Sequence, residues 1–278
     1  MKNILYTIIL SFLFSSAVSA EIYKWVDDEG KVHYGEKLPN NATGKAVETI
    51  KTKDSVSADI QASEDAYEAG DYEAAFILIK LLAEQGDPWA QYKIGQMYDE
   101  GKGVTQDYKE AEKWYRLAAE QGDADAQNSL GYMYQNGEGV TKDYKEAEKW
   151  YRLATKQGDA GAQFNLGVMY QAGYGVTKDY QEALKWFRLA AEQGLAESQF
   201  NLGQMYVKGQ GVTQDYKEAT KWWRLAAEQG DVEAQYNLGV MYSQGEGPTQ
   251  DYKEAAKWYR LAAAQGFVEA QYNLAVMY

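Results

Sequence analysis

Cysteine is absent from this chain of 278 residues, and histidine occurs once, as His33. No disulfide can brace the fold, and no thiolate can act as nucleophile or lipid attachment point. Neither a histidine metal cluster nor a Ser-His-Asp arrangement can be assembled. Positive charge is in deficit: 28 Lys and Arg stand against 41 Asp and Glu, a formal net charge of −13. Binding to a phosphate backbone is disfavoured, so no nucleic-acid partner is expected. A membrane-length apolar run is missing too, since Ile4–Phe14 falls short of the about 20 residues a span requires. No metal and no cofactor is expected, and any catalysis would rest on carboxylates, Lys, Ser or Tyr.

Lys2, the apolar Ile4–Phe14 and the small residues Val18-Ser19-Ala20 read as a secretory signal peptide over 1–20, cleaved after Ala20. The acidic Glu21–Gly30 follows directly, so no stop-transfer pattern makes an anchor of it. The mature chain is expected in the periplasm or secreted. Hydrophobic residues at 45% and aromatics at 14% are too rich for a disordered acidic tail, which places the acidity on the surface of a folded chain.

Self-similarity organises the rest. A period of 36 residues runs without a gap from Ala83, giving repeats 83–118, 119–154, 155–190, 191–226 and 227–262 and a half repeat 263–278. An array that stops in mid-unit at Tyr278 is expected of a truncated chain. In the second copy Gly122 closes the preceding helix and Asp123 caps the next. Ala126, Leu130, Met133 and Tyr134 then recur at three- and four-residue spacing on one helical face. Asp143 with Glu146 predicts a capping box, repeated at Asp107/Glu110, Asp179/Glu182, Asp215/Glu218 and Asp251/Glu254. It precedes a second helix with Tyr144, Ala147, Trp150, Tyr151 and Ala154 on its apolar face.

Asn136–Thr141 between the helices holds two glycines and reads as a turn. Gly131 lies mid-helix, where glycine costs roughly 1 kcal/mol against alanine. Its recurrence at 95, 167, 203 and 239 predicts helices packed too close for a Cβ. One pair cannot bury both apolar stripes, but stacked pairs form a continuous core, so the fold class is an all-α solenoid.

Ahead of the array, Ile60–Leu82 reads as an initial, atypical helix pair, and the polar, aperiodic 42–59 as a linker. Within 21–41, Ile22–Val26 and Lys31–Tyr34 are rich in aromatic and β-branched residues around Asp27–Gly30, which predicts a β-hairpin.

The repeated unit, A-x-x-Q-x-x-L-G-x-M-Y-x-x-G-x-G-V-x-x-D-Y-x-E-A-x-K-W-x-R-L-A-A-E-Q-G, resembles the Sel-1-like repeat, a relative of the tetratricopeptide repeat. The resemblance covers Ala83–Tyr278 and, more loosely, Ile60–Leu82. It implies a right-handed superhelix of antiparallel helix pairs, with the first helix of each pair on the concave side. It also implies a role as adaptor or scaffold for protein complexes, often in the bacterial envelope. Glu21–Tyr34 looks like a small bacterial envelope domain of unknown function that often follows a signal peptide.

The Gly-x-Gly turns at 101/103, 137/139, 173/175, 209/211 and 245/247 lack the preceding strand, third glycine and Lys-Ser/Thr that would make a phosphate cradle. Trp114, Trp150, Trp186, Trp222 and Trp258 recur on the core face of the second helix, as packing residues rather than a carbohydrate platform.

Function is better sought where the copies differ. On the first helices the varying positions are spaced i, i+4, i+7 and i+11 and form one stripe. It comprises Trp89, Lys93, Gln96 and Glu100; Asp125, Ser129, Tyr132 and Asn136; Gly161, Asn165, Val168 and Ala172; Glu197, Asn201, Gln204 and Lys208; and Glu233, Asn237, Val240 and Gln244. Asn165, Asn201, Asn237 and Asn273 place one amide per unit, able to bond an extended peptide or a neighbouring helix.

The favoured reading is a non-enzymatic adaptor that holds a protein or peptide, partly basic, in an acidic groove. A cell-wall enzyme or β-lactam-binding protein is the alternative prompted by exported members of the repeat family, but those are cysteine-rich. A secreted effector or adhesin that binds a host protein would use the same solenoid at another location.

Overall fold

The computed structural model describes residues 22–26, 32–35, 48–50 and 56–277, with side chains from Ile60 onward. The signal segment 1–20 lies outside the described residues. The chain divides into two compact units, Met1–Gln85 and Gly86–Tyr278.

In the first unit β1 (Ile22–Val26) pairs antiparallel with β2 (Val32–Gly35), Trp25 standing opposite His33. The hairpin is not alone. β3 (Glu48–Ile50) pairs antiparallel with the other edge of β1, giving the order β2-β1-β3. The stretch 42–59, expected as a linker, therefore supplies a strand and, from Val56, the start of a helix. Three residues are too few for alternation to register in a sequence. A third strand also moves the element beyond an isolated hairpin, which is marginal in water. α1 (Val56–Glu68) and α2 (Tyr72–Glu84) pack on each other, so the expected pair at 60–82 is longer at both ends.

In the second unit five helix pairs and a final helix follow one another. They are α3 (Pro88–Glu100) with α4 (Tyr108–Glu120), α5 (Ala124–Asn136) with α6 (Tyr144–Thr155), and α7 (Ala160–Ala172) with α8 (Tyr180–Glu192). Then come α9 (Ala196–Lys208) with α10 (Tyr216–Glu228), α11 (Val232–Gln244) with α12 (Tyr252–Ala264), and α13 (Val268–Val276). Each packs on its successor, and α5 also meets α7 and α11 meets α13, so first helices approach one another on one side. A pair begins at Ala124 rather than Ala119, because Ala119 belongs to the last turn of α4.

First helices start on aspartate: Asp123 accepts from the Ala126 N–H at 2.8 Å, and Asp87, Asp159 and Asp231 do the same. In α9 the position is Leu195, and no side chain caps the helix. Before α6, the Asp143 carboxylate accepts from the amides of Lys145 and Glu146 at 2.9 and 3.2 Å. The reciprocal half of the expected capping box does not form. The Asp143 N–H donates instead to the Tyr134 carbonyl at 2.9 Å, tying the two helices of a pair, and Glu146 pairs with Lys149 at 3.0 Å.

Each pair closes on one buried ring: Tyr115, Tyr151, Phe187, Trp223 or Tyr259. The ring lies against the mid-helix glycine of its partner. A Cβ at Gly167 would come within 2.6 Å of Phe187, and Gly95, Gly131, Gly203 and Gly239 are covered likewise. The tryptophans one residue earlier, expected as packing residues, serve the seam between pairs. Trp150 clusters with Ala118 and Ala119 of α4, and Trp258 with Ala226 and Ala227 of α10, so they seal a pair onto the preceding pair.

Candidate functional site

Stacking is fixed by amides at the base of the pairs. Gln157 Nε2 donates to the Gly122 carbonyl at 2.9 Å and to Gln127 Oε1 at 3.0 Å, while Gln127 Nε2 donates to the Ala119 carbonyl at 3.0 Å. Gln121, Gln193, Gln229 and Gln265 reach Gln91, Gln163, Gln199 and Gln235 in the same way. These inner glutamines are buried, and each bond satisfies a polar group that would otherwise be costly to bury. Sequence reasoning missed this glutamine ladder and looked to asparagine instead. The signal was present in two invariant glutamines per unit, 30 residues apart across the seam.

The Gly-x-Gly turns are packing devices as well. Gly137 caps α5 in the left-handed conformation, at φ 81°. Gly139 lies so close to the Tyr108 carbonyl, in the preceding pair, that any Cβ would collide with it. The Gly137 and Glu138 amides, which a phosphate would need, donate instead to the Met133 carbonyl of α5.

All twenty stripe residues lie on first helices, and none is buried. Trp89, Lys93, Gln96, Ser129, Asn165, Val168, Asn201, Gln204, Asn237 and Val240 are half-buried. Asp125, Tyr132, Glu197, Lys208 and Glu233 are exposed. Several bond along their own helix: Lys93 Nζ donates to Gln96 Oε1 at 3.2 Å, and Lys208 Nζ to Gln204 Oε1 at 2.9 Å. The asparagines do not act alike. Asn201 Nδ2 donates to the Glu197 carbonyl of its own helix at 2.8 Å, Asn165 Nδ2 donates across to Asn128 Oδ1 at 2.9 Å, and Asn273 bonds Tyr259.

Negative charge gathers at the first turns of α5 and α7. Burial raises the carboxyls of Asp123 and Asp159, and the Asp125 charge raises both further. Burial together with the Asp125 charge pushes the Tyr92 hydroxyl up to about 12, although a hydrogen bond with Ser129 opposes the shift. Gln96 Nε2 also donates to Tyr92 at 2.8 Å. α3 and α5 are therefore coupled by a polar network that includes Lys93, Gln96, Asp125 and Ser129. Among the described residues, no cluster of His, Asp or Glu is arranged to hold a metal ion.

The fold is shared with solved structures. A Sel1 repeat protein from Oxalobacter formigenes is 40% identical with a TM-score of 0.74, over 79% of this chain and 89% of that one. A protective antigen of uropathogenic Escherichia coli with an SLR fold is 39% identical with a TM-score of 0.72, over 80% of this chain. This chain spans about half of that protein's length, 48%. No curated protein matches the chain significantly. A domain of unknown function (DUF4124) matches residues 9–66, covering the three-stranded sheet and most of α1. The Sel1 repeat model matches 65–87, 90–123, 124–159, 160–195, 196–231, 232–267 and 268–278, with the period and helix pairing described above. Sel1 repeats are in general scaffolds for protein–protein interaction, and the chain belongs to the Sel1 repeat family.

Proposed function

We propose that the chain is an exported, non-enzymatic scaffold that holds a protein or peptide against the first-helix side of its array. One observation carries this reading: the glutamines, mid-helix glycines and buried rings that stack the array recur from unit to unit, whereas the units diverge along the half-exposed stripe from Trp89 to Val240. Packing constrains the first set, and a surface free of that duty can differ from unit to unit to fit a partner. The excess of acid favours a partner with some positive charge. The Escherichia coli relative is described as a protective antigen, which supports an exported location and agrees with the signal-like residues 1–20.

The test is site-specific photocrosslinking in cells that express the full chain. A crosslinker at 132, 204 or 208 is expected to yield one common adduct, and one at Lys113 or Lys149 on the second helices to yield none. The triple variant Y132A/Q204A/K208A should lose recovery of that partner at least tenfold with its helical circular dichroism unchanged. Equal labelling from the second helices, or full recovery by the triple variant, would overturn the assignment. Fractionation, with the mature N-terminus read by mass spectrometry, tests export separately: a chain that retains Met1 in the cytoplasm refutes it.

A further inference from the structure

The seam between α5 and α7 departs from the others. α3, α7, α9 and α11 carry Tyr92, Phe164, Phe200 and Tyr236 at one position, each ring lying 5.8–6.3 Å from the buried ring of the second helix. α5 carries Asn128 there, although Tyr151 still waits opposite as the buried ring. Across the seam, where α3 carries Trp89 and α5, α9 and α11 carry Asp125, Glu197 and Glu233, α7 carries Gly161, the one of the five with no side chain. A Cβ at Gly161 would come within 2.7 Å of Asn128 Nδ2, so the two exceptions belong together: the missing side chain makes room for the amide.

Drift on a solvated surface would not exchange a packing ring and the residue facing it in concert. Coordinated breaches of an otherwise consistent pattern mark functional positions. The bond from Asn165 Nδ2 to Asn128 Oδ1, 2.9 Å long, leaves the Asn128 amide hydrogens as donors and Asn165 Oδ1 as an acceptor beside them. That pair complements the N–H and C=O of one extended peptide residue. Tyr132 stands one turn along α5, 49% exposed, the most exposed aromatic of the interior first helices. Asp125 and Asp159 flank the seam, and their charges act on each other.

We propose that this seam is the subsite that reads a basic residue of an extended peptide. Asn128 and Asn165 bond its backbone, while Tyr132, Asp125 and Asp159 take its Arg or Lys side chain. The inference rests on the groove reading above and names the partner chemistry at one place in it.

The decisive variant is N128F/G161E, which reproduces the residues at the seam between α7 and α9, where Phe164 stands in place of Asn128 and Glu197 in place of Gly161. It adds a negative charge, so general electrostatic attraction of a basic peptide would grow, not fall. Binding of fluorescein-labelled Ala/Ser/Thr nonapeptides with a central Arg, Lys or Glu is measured by polarisation with the full chain. The Arg peptide is expected to bind at least tenfold tighter than the Glu peptide. N128F/G161E should lose at least tenfold of that affinity at an unchanged or higher Tm, and D125N a smaller part. Equal affinity of Arg and Glu peptides, no binding of the Arg peptide, or parental affinity in N128F/G161E overturns the seam assignment. Crosslinks from 204 and 208 that survive such a result keep the groove; their absence sinks the groove itself.

Discussion

Along the second helices from α4 to α12, Trp150, Tyr151 and Arg152 have close counterparts, and Arg116, Arg152, Arg188 and Arg224 each bond a tyrosine of the following pair, as Arg116 does Tyr134 and Arg188 does Tyr206 at 2.7 Å. Along the first helices the residue before the buried Ile94, Leu130 and Leu166 changes from Lys93 to Ser129 to Asn165. The difference follows from what each side must satisfy. A second helix meets its own partner and the pairs before and after it, and each contact is repeated by translation, so a change that suits one seam spoils an identical one. A stripe residue answers only to its own surroundings.

Three measurements of stability sharpen this contrast. Phe187→Ala removes a fully buried ring from above Gly167 and is expected to cost about 3–5 kcal/mol, read by urea unfolding. A cost under about 1 kcal/mol would show that the pair does not depend on its ring. Leu195→Asp supplies the one missing aspartate cap among α3, α5, α7, α9 and α11, and should add about 1 kcal/mol, seen as a raised Tm. An unchanged Tm would mean that the start of α9 is held by other contacts. Gln204→Ala, in the stripe, should shift stability by no more than about 0.5 kcal/mol in either direction, despite its bond from Lys208. A loss as large as that of Phe187→Ala would erase the distinction between the two sides.

Much of the array was legible because its signals are strong in one dimension. Gly131 in mid-helix had to answer to a close approach, and Tyr151 supplies it. Asp123 before an apolar run had to cap. What escaped depends on geometry between units. The reciprocal half of the capping box does not form because the Asp143 N–H donates to the Tyr134 carbonyl of the partner helix, an acceptor that no local motif reveals. The glutamines drew no reading from the sequence, since only pairing across a seam shows that the inner one of each pair is buried. At the candidate site, divergence pointed to the stripe, but Asn128 lies beside it, at a position outside both the stripe and the apolar face expected for α5. Only its bond to Asn165 and the facing Gly161 reveal that its role has changed.

The glutamine bonds reach back 30 and 35 residues along the chain and no further. Every link that holds one pair to the next is therefore complete once a single additional unit has appeared. Such a chain has low contact order, so little entropy is lost before native contacts begin to compensate, and folding can proceed from the N-terminal side as each unit emerges. A thread delivered end-first, whether from a ribosome or through a membrane channel, can be wound up behind the exit without waiting for its tail.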